Sequence, residues 1–77
     1  MERKIVRIKP YETFKDEINT IKSDDFELIF ECSRFSAPVI ENLMKKINEN
    51  MNIGYDIFET KKDDVYVIVH VACHRKN

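Results

Sequence analysis

The 77 residues predict an α/β two-layer sandwich in which a mixed four-stranded sheet of order 1-2-4-3 carries two helices on one face. Three observations lead there. Short β-branched runs and helical stripes alternate as β-α-β-α-β-β. Each strand–helix–strand crossover should be right-handed with parallel strands. The closing run is apolar on both of its faces, which suits a central strand.

The first strand is expected at 4–9, Lys-Ile-Val-Arg-Ile-Lys, and Pro10 should end it because proline removes a ladder donor. Thr13, three residues before Asp16, is the expected cap of a first helix. Phe14, Ile18 and Ile21 fall on one helical face, and Ser23-Asp24-Asp25 closes the segment. The second strand, 26–32, sends Phe26, Leu28, Phe30 and Cys32 one way and Glu27, Ile29 and Glu31 the other. Ser36 should cap the second helix, with Pro38 in its first turn, where a missing N–H costs little. Ile40, Leu43, Met44, Ile47 and Met51 give that helix its apolar face. Runs at 53–60 and 65–73, joined by the polar turn Lys61-Lys62-Asp63-Asp64, read as a hairpin, with Val65, Val67, Val69 and Val71 facing the core. His74-Arg75-Lys76-Asn77 reads as a basic tail.

Length and the absence of an internal linker make 1–77 a single domain. Thirteen basic and 14 acidic residues give a formal charge of −1, which argues against a protein that coats DNA by charge alone. Two cysteines are too few for a disulfide-dense secreted scaffold. No apolar run approaches the roughly 20 residues of a membrane span, and the N-terminus lacks a signal-peptide pattern. The expected location is the cytoplasm, without membrane association.

With Ser36-Ala37-Pro38 opening the second helix and Ile53 to Val71 as the closing hairpin, the chain resembles the TusA/SirA-like sulfur-carrier family. It is similar in the same way to the C-terminal domain of translation initiation factor 3 and to the Alba chromatin and RNA-binding family. The first family carries sulfur on a Cys-Pro-x-Pro motif between its first strand and first helix. The matching stretch here, Ile8-Lys9-Pro10-Tyr11-Glu12, has no cysteine, so that activity does not follow. The other two place basic residues in the strand–helix loops, which here are Lys9 and Arg34.

Candidate chemistry is sparse. His70, Cys73 and His74 suggest a metal, but strand residues four apart lie about 13 Å from each other, so no metal site is expected. Cys32 precedes a helix N-terminus, a position that can activate a thiol, yet its alternation places it on the core side. No phosphate loop and no nucleophile–base set is present at motif spacing, so neither catalysis nor a cofactor is implied. Lys9, Ser33, Arg34, Phe35, Ser36, Lys61 and Lys62 should gather at one end of the sheet, a constellation suited to an anion or nucleic acid.

The uncovered sheet face carries the strongest expectation. Ile5, Arg7, Lys9, Glu27, Glu31, Asp56 and His70 should surround an apolar stripe of Ile29, Phe58, Tyr66, Ile68 and Ala72. Apolar patches rimmed by charge mark partner surfaces. The expected function is a non-enzymatic binding module of TusA-like fold, taking a protein partner or forming a homodimer. Nucleic-acid binding is the first alternative, and divergent sulfur transfer at Cys32 the second.

Overall fold

A computed structural model describes residues 1–76. Its elements are β1 (Glu2–Val6), α1 (Tyr11–Asn19), β2 (Asp25–Ser33), a 3-10 turn (Arg34–Ser36), α2 (Ala37–Met51), β3 (Ile53–Lys61) and β4 (Tyr66–Arg75). The sheet order is β1-β2-β4-β3, with β1 parallel to β2 and β4 antiparallel to both of its neighbours. This is the expected topology.

Side-chain alternation builds the core. Leu28 pairs with Val71 and Phe30 with Val69 across β2 and β4, and all four are at most 1% exposed. Phe14 and Ile18 of α1 and Ile40, Leu43, Met44 and Ile47 of α2 complete the same cluster. Both helices therefore lie on one face. Burying a side chain of that size stabilises by about 1.5–3 kcal/mol, which is why the amphipathic helices dock there.

Several boundaries differ from expectation. β1 stops at Val6, not Lys9. Residues 7–10 carry the chain from the sheet layer to the helix layer, a rise on the order of 10 Å. Arg7 therefore falls past the end of the paired strand. Lys9 leaves the sheet and reaches Glu17 of α1 at 2.6 Å. Thr13 is not the cap of α1. Pro10 holds that position, and its carbonyl accepts from the N–H groups of Thr13 and Phe14 at 3.0 and 2.9 Å. Ile21 lies past the end of the helix yet is only 2% exposed, its N–H bonded to the Ile18 carbonyl.

Ser36 does not cap α2 through its side chain. Its backbone, at φ −90° and ψ −10°, is already helical, whereas a capping residue needs an extended backbone. Its hydroxyl lies 3.2 Å from that of Ser33. At the other end of α2, Asn52 takes the left-handed conformation, φ 55° and ψ 47°, that asparagine tolerates better than most residues. Its amide donates to the Lys76 carbonyl at 3.1 Å, and its own carbonyl accepts from the Lys76 N–H at 3.0 Å.

Val65 is not part of the core. It sits in the hairpin turn, 52% exposed, because Asp63 closes the turn by accepting from the N–H groups of Val65 and Tyr66, both at 2.8 Å. Those two bonds hold the Asp63 carboxyl below its ordinary pKa.

Arg75 is not tail. It ends β4, and its guanidinium donates to the carbonyls of Ile18, Ile21 and Ser23 at 3.1, 2.7 and 3.4 Å. The same group lies 5.2 Å from the centre of the Phe26 ring. It thereby supplies donors to carbonyls at and just after the end of the short α1, where intrahelical partners run out. Asn77, the last residue of the expected tail, lies outside the described residues.

Candidate partner-binding face

Among the described residues no element lies on the second face of the sheet. Its residues form rows perpendicular to the strands because the registers align them. One row runs Ile5, Ile29, His70, Phe58 across β1, β2, β4 and β3. Ile5 is 78% exposed and Phe58 49%. Phe58 stacks on His70 with ring centres 5.4 Å apart and planes 9° from parallel. The two residues are directly opposite on adjacent strands, where flat side chains meet face to face.

On one side of that row lies Arg3, Glu27, Ala72, Asp56, and beyond it Asp25 and His74 pair across β2 and β4. The Glu27 carboxylate, 14% exposed, lies 3.4 Å from His70 Nδ1 and 3.8 Å from Arg3 Nε. Asp25 and His74 form a close side-chain pair. On the other side lies Glu31, Ile68, Thr60, followed by Ser33 and Tyr66. The Lys62 ammonium reaches from the hairpin to Glu31 on β2, and this contact raises the lysine pKa. The expected stripe of Ile29, Phe58, Tyr66, Ile68 and Ala72 is thus on one face, with Tyr66 52% exposed. Ile5 extends it to the edge. The alternation contained Ile5, but the stacking of His70 on Phe58 needed the register between strands.

The anion constellation does not assemble as a free cationic cluster. Lys9 is paired with Glu17 on α1, Lys61 with Asp64 at 3.4 Å, and Lys62 with Glu31. Arg34 and Lys61 line a groove that also contains Glu59 and Asp63. Ser33 and Ser36 bond each other. Phe35 projects into solvent, at 83% exposure beside Arg34. Each of the three lysines that sequence spacing brought together has found a carboxylate.

The two cysteines are free and belong to opposite ends of the sheet: Cys32 pairs with Val67, and Cys73 with Phe26. Six residues of strand, about 20 Å, separate those register positions, well beyond the roughly 6 Å between Cα atoms that a disulfide requires. Burial pushes the Cys32 thiol pKa up, and the Glu59 carboxylate adds to the shift. Burial pushes Cys73 up to about 12. Among the described residues no group of three His, Cys, Asp or Glu side chains could hold a metal ion, and no helix is long and apolar enough to cross a membrane.

Comparison with known proteins finds no family model, no curated protein and no solved structure that matches this chain.

Proposed function

We propose that this protein is a small non-enzymatic binding module that docks a protein through its uncovered sheet face. The observation that carries the reading is the Ile5–Ile29–His70–Phe58 row, in register across all four strands and covered by nothing among the described residues. An antiparallel face meant only for water alternates to polar residues. Here Ile68, Ala72 and Tyr66 widen the apolar strip, while Arg3, Glu27, Glu31, Asp56 and Lys62 supply the polar rim of an interface. The TusA-like resemblance rests on the element order, while burial raises the Cys32 thiol pKa and so favours its protonated, less nucleophilic form.

The test places a photo-crosslinking phenylalanine analogue at Phe58 or at Ile29, and as a control at the exposed Lys45 of α2, in the cell that makes the protein. A discrete protein adduct from the two sheet positions and none from Lys45 is the expected result. No adduct from the sheet face, or equal adducts from Lys45, overturns the reading.

A second reading, nucleic-acid binding, draws on Phe35 beside Arg34, since an exposed ring next to a guanidinium can stack a base. The paired state of Lys9, Lys61 and Lys62 supports it less than the sheet face supports the first. Its test is a titration of single-stranded RNA at two salt concentrations. Loss of affinity on Phe35→Ala is the outcome that would favour it.

A further inference from the structure

Resting on the binding-module reading, we infer that the occupant of the open face is a second copy of this chain, related by a two-fold axis that runs along the strands between β2 and β4. Charge and register point there. Such an axis lays each β2–β4 register pair on its own reverse. Ile29 then meets His70 of the second copy, and the Asp25–His74 pair meets a second His74–Asp25 pair, each carboxylate facing an imidazole. The edge strands exchange places, so Ile5 meets Phe58 of the other copy and Arg3 meets Asp56. Asp56 is exposed and has no ion pair among the described residues, and the Arg3 side chain is 72% exposed. The cation of one edge therefore finds the unpaired anion of the other, twice per dimer.

The competing two-fold axis, across the strands along the apolar row, fails on the same criterion. It would lay Glu27 on Glu31 of the second copy and bring Arg3 towards the Arg7 that follows β1, placing like charges together in a closing interface. Sheets that pack face to face cross at about 30°, which moves the edge strands, about 7 Å from the axis, by only a few Å. An arginine side chain spans that shift. Four strands of this length offer on the order of 1,000 Å² between two copies, the lower bound for a specific interface.

The experiment uses Arg3→Asp and Asp56→Arg, each alone and mixed, in sedimentation across concentration, with melting curves to verify folding. Wild type is expected to dimerise. Each single variant places like charges opposite each other and should weaken its dimer at least about tenfold. Mixing the two should yield a 1:1 heterodimer of about wild-type affinity. In that heterodimer the new acid at position 3 of one chain faces the new base at position 56 of the other, and the native Asp56 faces the native Arg3. Should either variant fail to fold, Arg3→Glu and Asp56→Lys replace them. A dimeric wild type whose variants do not pair on mixing overturns the axis but keeps the face. A wild type monomeric to about 1 mM overturns the second copy. In that case a foreign adduct from Phe58 leaves the binding reading standing, and no adduct removes it as well.

Discussion

β4 has two faces of similar apolar content and opposite fates. Towards the helices, Val67, Val69, Val71 and Cys73 are at most 8% exposed. Away from them, Tyr66, Ile68, His70 and Ala72 remain partly or mostly in contact with water. The pleat treats both alike, so the difference is made by what lies opposite. Phe14, Ile18, Ile40, Leu43, Met44 and Ile47 cover one side, and the described residues supply nothing for the other. Burial in this fold follows from the helices' stripes and not from the strand's own composition.

Substitutions can break this contrast in a graded way. The largest effect should come from Leu43→Ala, at 5% exposure on the covered side. The lost contacts and the residual cavity should cost about 2–5 kcal/mol, read as a fall in the denaturation midpoint. An unchanged midpoint would mean that α2 does not clamp the sheet. Arg75→Ala removes three bonds to carbonyls and the contact with Phe26, and should cost about 1.5–3 kcal/mol. Hydrogen exchange should locate its loss in α1 and the loop after it.

Cys73 sharpens the contrast through pH. Its thiol ionises near 12 when folded against 9.0 ordinarily, so the unfolded chain gives up its proton first. The stability this contributes is fully present below 9.0 and is lost as pH rises towards 12. Wild type should therefore lose stability across that window faster than Cys73→Ala, in paired melts. Parallel curves would place the thiol in water.

On the open face, Ile68→Glu should change the stability of the monomer by less than about 1 kcal/mol, because the new charge stays solvated. It should nonetheless abolish association, where that charge would be desolvated. An unfolded variant would show that this face is covered by the chain itself. The smallest effect is expected from Asp63→Ala, confined to faster exchange at the Val65 and Tyr66 amides, with no change in the α2 amides. The lowered Asp63 pKa means that lowering the pH through its folded-state value should produce the same local loosening in wild type.

The topology and the division of residues between faces were legible because alternation along β2 and β4 is strict and the crossover rule leaves few arrangements. The stripe of the candidate face followed from the same alternation. What escaped the sequence depends on long-range contact. The Arg75 guanidinium meets carbonyls more than 50 residues earlier in the chain, and no local pattern marks it. Lys9 reads as a loop cation because its pairing with Glu17, eight residues later, depends on how the loop after β1 turns onto α1, which no helical or strand spacing encodes. Ser36 carried a capping residue's identity without its backbone angles. The pairing of Lys62 with Glu31 reaches across β4 and again needed the register.

The position of β4 between β2 and β3 also has a consequence for synthesis. Residues 66–75 are made after every other strand, yet they form the centre of the sheet. Until they leave the ribosome, β2 has no antiparallel neighbour and β3 has none at all. At about 5–20 residues per second, β2 waits for seconds with an open, apolar edge. Rapid capture of β4 from both sides is what ends that exposure, so slow codons within 66–75 would lengthen the interval in which nascent chains can pair with one another.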